Sequence, residues 1–128
     1  MCISVNENQH HVINHLTGKE MNETRNIIVE AGRIARGAVL DINSQESLDV
    51  DALVIPGGFG SAKNLTNWAF EGPDGSISAS VKTFLLKLRS ANKPIAALCV
   101  SPIVLAKAFE GSEYHLNMTI GSDKGASP

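Results

Sequence analysis

Ile95-Ala96-Ala97-Leu98-Cys99-Val100-Ser101-Pro102 is the stretch whose reading decides the fold. Its four leading apolar residues form an unbroken run, as expected of a strand buried on both faces of a sheet. Lys93-Pro94 closes the preceding helix, because proline restricts the residue before it and cannot continue helical hydrogen bonding. Ser101 and Pro102 suit the N-cap and first position of a new helix, which carries Val104, Leu105, Ala108 and Phe109 and stops at Gly111. A strand that hands over directly to a helix is the unit from which parallel sheets are built.

The same alternation continues outward. Ala52-Leu53-Val54-Ile55 is a second apolar run, read as buried on both faces, and it enters Pro56-Gly57-Gly58-Phe59-Gly60. Pro73-Asp74-Gly75 reads as a turn. Ile77, Val81, Phe84, Leu85, Leu88 and Ala91 make the clearest amphipathic helix. Towards the start, Cys2-Ile3-Ser4-Val5 is strand-like, and Val12-Ile13 with Thr17-Gly18 predicts a small hairpin. A helix is expected over residues 23–36, capped by Asn22, with Ile27, Ala31, Ile34 and Ala35 on its apolar face and Gly37 at its end. Residues 38–42 and 115–120 read as further strands, and residues 122–128 as a frayed tail. The expected class is α/β, an open, mostly parallel sheet with helices on both faces.

Composition bounds the rest. The chain has 128 residues, 43% hydrophobic and 19% charged, the size of one ordinary domain with a core of its own. The net charge of −2 and the absence of a basic run speak against nucleic acid as a partner. No apolar stretch reaches the ~20 residues of a membrane span, and no leader is read at the start, so a cytoplasmic protein is expected. Cys2 and Cys99 show no metal-ligand spacing and no disulfide framework.

In open α/β sheets ligands bind beyond the carboxyl ends of the strands, and two segments fall there. Cys99 lies on a tight strand-to-helix turn that lifts a side chain towards solvent, with small residues Ala97 and Ser101 at −2 and +2. A helix start favours thiolate through its partial positive charge. A buried cysteine acting as a small hydrophobe is an equally weighted reading. The Pro56–Gly60 loop permits positive φ and close backbone approach, and its N–H groups can stabilise an oxyanion; a tight turn needing glycine for steric reasons is the plainer reading. The loop lacks the third glycine of a dinucleotide fingerprint. His11 and His15 stand four apart in a segment that does not read as helix, and no metal site is expected. His115 opens its expected strand, at the wrong end to serve Cys99.

Val12-Ile13-Asn14-His15-Leu16-Thr17-Gly18, Arg33-Ile34-Ala35-Arg36-Gly37, Pro56-Gly57-Gly58-Phe59-Gly60, Ala62-Lys63-Asn64-Leu65 and Cys99-Val100-Ser101-Pro102 together resemble the ElbB/ES1 proteins. These belong to the DJ-1/PfpI, class I glutamine-amidotransferase-like superfamily. The resemblance implies a flavodoxin-like fold, residues 1–128 forming one partial domain, with Cys99 on a nucleophile elbow and the N–H groups of Gly58 and Val100 as oxyanion donors. It also implies a glutathione-independent glyoxalase-type lyase taking a small aldehyde (glyoxal to glycolate), no cofactor, and a link to isoprenoid production. Family members begin with a further strand and helix, which bring an acidic residue beside the cysteine, and continue past Gly121. The first strand–helix unit and the C-terminal part are therefore expected to be missing and activity to be weak or absent, with exposed strand edges promoting homo-oligomers. Gly121 stands where DJ-1-like enzymes place a histidine, so no Cys–His pair is carried over. Glutamine amidotransfer is disfavoured, since none of His10, His11, His15 and His115 has an acid two residues on. The alternative is a thiol-based sensor or binding protein without turnover.

Overall fold

The computed structural model describes residues 1–119, and the chain divides into two compact units that meet at Asp49 and Val50. In the first unit, β1 (Cys2–Ser4) pairs in parallel with β4 (Val39–Asp41), Cys2 opposite Val39 and Ser4 opposite Asp41. Parallel strands need a crossover, and here it consists of a hairpin followed by a helix. The hairpin joins β2 (Val12–Asn14) to β3 (Lys19–Met21), antiparallel, with Val12 opposite Met21. Its turn is shaped by Asn14, whose Oδ1 accepts from the Leu16 N–H at 2.9 Å, and by Gly18 at φ 70°. The expected hairpin is present.

Helix α1 (Ile27–Ala35) is shorter than the expected 23–36, and its cap is Asn26 rather than Asn22. The Asn26 Oδ1 accepts from the Val29 N–H at 3.2 Å, while its Nδ2 donates to Asn6 Oδ1 at 2.9 Å. Residues ahead of it are tied instead to the chain after β1. Gln9 N–H donates to the Arg25 carbonyl and Ile27 N–H to the Glu7 carbonyl, which removes residues 23–25 from the helical ladder. Arg36, left-handed at φ 62°, ends the helix, and the Gly37 N–H donates to the Gly32 carbonyl. Val5 and Val12 are the buried apolar residues of this unit, whereas Ile34, expected on the apolar face of α1, is 75% exposed.

The second unit holds β5 (Leu53–Ile55) parallel to β6 (Ile95–Ala97), with Leu53 opposite Ile95 and Ile55 opposite Ala97. Both strands were expected to be buried on both faces, and both instead alternate. Val54 and Ala96 face outward, and Val54 is 60% exposed, so one face of this pair is open among the described residues. The core lies among the helices that follow the short α2 (Trp68–Glu71). α3 (Ala79–Ser90) buries Val81, Phe84, Leu85 and Leu88, and α4 (Pro102–Phe109) buries Val104, Ala108 and Phe109. These residues recur at three- and four-residue spacing, which keeps each set on one helix face.

Lys107, also buried, hydrogen-bonds the Pro73 carbonyl at 3.0 Å and pairs with Glu110 at 2.5 Å. The hydrogen bond that Lys107 donates to Glu110, together with its charge, holds the Glu110 carboxyl below its ordinary value. No strand forms at residues 115–119, and residue 120 lies outside the described residues, as does the expected tail. A strand exists through its ladder, and this stretch has none among the described residues. No helix described is long and apolar enough to cross a membrane.

Candidate active site

The β5–β6 ladder determines where the two candidate segments meet. Leu53 N–H donates to the Pro94 carbonyl at 2.9 Å, and Leu98 N–H donates to the Ile55 carbonyl at 3.0 Å. Pairing therefore continues to the last residue before Cys99, and the chain leaves β5 into Pro56-Gly57 beside the chain leaving β6 into Cys99. A Cβ built at Gly57 would fall 2.8 Å from the Cys99 Cβ, 3.0 Å from the Leu98 carbonyl oxygen and 3.6 Å from the Cys99 Sγ. Only glycine fits that gap, and Gly57 also takes φ 106°, a backbone state reserved for glycine.

Cys99 is exposed, free, and in the left-handed region at φ 57°. Among the described residues, three non-glycine residues have positive φ. Arg36 and Asn92 lie where helices end, a usual place for that conformation, whereas Cys99 sits ahead of a helix start. The conformation costs a residue with a Cβ roughly 1–2 kcal/mol, and here it turns the side chain out of the strand. The reading of Cys99 as a buried small hydrophobe is set aside.

Gly58 follows Gly57 along the chain, and Val100 follows Cys99. Gly58 adopts φ 90°, and nothing lies within 4 Å of the position its Cβ would take, so the loop faces open space there. Among the described residues neither the Gly58 nor the Val100 N–H donates to a protein acceptor. Phe59 is 64% exposed beside the loop, with the Lys63 ammonium 5.5 Å from its ring centre.

Two serines beneath the loop were not foreseen as part of the site. Ser101, expected as an N-cap through its side chain, is in helical conformation and makes no capping bond. Its hydroxyl donates instead to the Ser61 Oγ at 3.1 Å, and the Ser61 hydroxyl donates to the Gly57 carbonyl at 3.3 Å. Ser61 opens a five-residue π-helical segment, Ser61–Leu65, of the kind that often marks functional sites. A serine at +2 from a cysteine is a signal for small size alone, so only coordinates bring the pair together. His115, exposed, lies in a stretch with no regular structure, and no histidine or carboxylate side chain among the described residues hydrogen-bonds the Cys99 sulfur.

This architecture matches a known class. A solved structure of an isoprenoid biosynthesis protein with an amidotransferase-like domain from Ehrlichia chaffeensis superposes with a TM-score of 0.75 at 41% identity, covering 84% of this chain and 51% of that one. The chain is thus a mixed α/β protein with parallel strands, of the amidotransferase-like, flavodoxin-like fold. Among curated proteins, it is 38% identical over 117 residues to the mitochondrial glutamine amidotransferase-like class 1 domain-containing protein 3 of Homo sapiens, covering 91% of this chain and 42% of that protein. It is 37% identical, with the same coverage, to the mitochondrial ES1 protein homolog of Rattus norvegicus. Identity is 27% over 127 residues to the mitochondrial ES1 protein of Danio rerio, covering 95% of this chain and 46% of that protein. No protein-family model matches the chain. The chain fits the ElbB/ES1 group of class I glutamine amidotransferase-like proteins and spans less than half the length of these curated relatives. All three relatives are mitochondrial, which overturns the cytoplasmic location expected from the sequence. That expectation rested on the lack of a recognisable targeting pattern, a weak physical signal.

Proposed function

We propose that Cys99 adds to the aldehyde carbon of small 2-oxoaldehydes and that the reaction is of glyoxalase type, glyoxal and water giving glycolate. The observation that carries this reading is the exposed, left-handed Cys99 packed against Gly57, with the Gly58 and Val100 N–H groups left without protein acceptors. The sulfur electron pair forms the S–C bond, and the carbonyl π pair moves to oxygen, where those amides hold the charge. The proton on that carbon then passes to a base and returns at the neighbouring carbon, giving a thioester. Water cleaves the thioester, releasing glycolate and restoring the thiol; oxidation of one carbon balances reduction of the other.

The proton transfer needs an acid/base group, whose loss typically costs ~10²–10⁴-fold. No histidine or carboxylate among the described residues hydrogen-bonds the sulfur. This favours a second reading for the chain as it stands, a thiol that captures electrophiles stoichiometrically as a sensor. Its setting would be the isoprenoid metabolism named for the Ehrlichia chaffeensis protein, or stress.

Incubation with glyoxal, following both glycolate and adducts, separates the two. Glycolate formed by the wild type and lost in Cys99→Ser supports the enzyme; a stoichiometric Cys99 adduct without glycolate supports the sensor. No Cys99-dependent product or adduct of either kind contradicts both.

A further inference from the structure

We propose that Ser61 and Ser101 are positioning residues, a two-hydroxyl relay that holds the glycine loop in register with the cysteine turn. The inference deepens the proposed function of the same site and rests on it for its chemical consequence. Ser101 is fully buried and Ser61 is 6% exposed, so neither hydroxyl has water as an easy alternative partner. Ser101, two residues past Cys99, donates across to Ser61, and Ser61 donates within its own segment to the Gly57 carbonyl.

The direction of the relay matters. Gly57 is the residue whose missing Cβ lets the loop touch Cys99, and its carbonyl belongs to the same peptide group as the Gly58 N–H. Holding that carbonyl from below fixes the peptide plane, and a fixed plane aims the N–H away from the carbonyl, towards the side where a developing oxyanion would need it. The Ser61 N–H donates to the Gly58 carbonyl at 3.0 Å, so the two peptide groups on either side of Gly58 are both tied to Ser61. Thr66 closes the other end, its hydroxyl within 3.3 Å of the Ser61 and Ala62 carbonyls. Ser61 is therefore anchored on both sides, and whatever moves it moves the amide of Gly58. Misplacing a reacting contact by 1 Å can cost about 10²-fold.

The test compares the full chain with Ser61→Ala, Ser101→Ala and Ser61→Thr. Three readouts are followed: amide hydrogen exchange along the loop, the rate of Cys99 alkylation by iodoacetamide, and the protection against it that glyoxal confers. Glyoxal protects by forming a hemithioacetal, in which the S–H adds across the carbonyl and the proton ends on oxygen.

The relay predicts that both alanine variants speed exchange of the amide at position 61, which donates to the Gly58 carbonyl, and weaken glyoxal protection on the order of 10-fold or more. It also predicts that the alkylation rate, which needs no oxyanion donor, changes far less, and that Ser61→Thr restores both affected readouts. Unchanged exchange and protection in both alanine variants overturns the relay. So does exchange that rises equally throughout the second unit, since that is ordinary loss of packing. If glyoxal fails to protect even the wild type while Ser61→Ala still speeds exchange at position 61 selectively, the relay stands as a loop anchor and the aldehyde reading falls.

Discussion

Cys99 and Gly57 answer each other at the scale of single residues. One bears a side chain in a conformation that suits glycine, and the other bears none where a Cβ would strike its neighbour. Gly57→Ala should cost stability by about 1–3 kcal/mol, from φ strain and the 2.8 Å approach to the Cys99 Cβ. Urea denaturation measures that cost, and a loss below 0.5 kcal/mol, which surface substitutions show, would mean that the loop is not tightly seated. The position of Cys99 was legible from Leu98 before it and Ser101-Pro102 after it. Its exposure was not, because the same string suits a buried thiol equally well.

Local hydrogen bonding at the level of elements overrode what spacing suggested. Asn22 and Asn26 are both competent caps, and periodicity does not choose between them. The choice is made by residues 6–9, far along the chain, which engage Arg25, Asn26 and Ile27. Asn26→Ala should therefore lower stability by about 1 kcal/mol, in line with loss of a cap, with Asn22→Ala nearly silent. Thermal or urea melts of the two variants check this, and equal losses would contradict the assignment. Helices α3 and α4 were readable because their apolar residues recur with helical period over two or more turns. The strands β5 and β6 were readable as strands but not as half-open ones. An unbroken apolar run says what the residues are and not which face is covered. The expected strand at 115–120 had residue types but no ladder among the described residues.

Taken as a whole molecule, the chain is organised by where parallel pairing ends. The β5–β6 ladder runs to Leu98, so two consecutive loops emerge together and one of them carries the sulfur. The alternation of strands and helices and the glycine loop could be anticipated from sequence; the serine pair could not, since hydroxyls forty residues apart leave no spacing signal. The similarity to the ES1 proteins and to the Ehrlichia chaffeensis structure agrees with this arrangement, while the chemistry of the site is a proposal. Cys2 provides an internal control, being a second exposed free cysteine, on β1 in the other unit. The most direct measurement is peptide-resolved alkylation of both cysteines in one sample, with and without glyoxal. The account predicts that glyoxal protects Cys99 well below the concentration that protects Cys2, since the proposal places the Gly58 and Val100 N–H groups on the oxygen of a Cys99 adduct. Equal protection of the two thiols would contradict it.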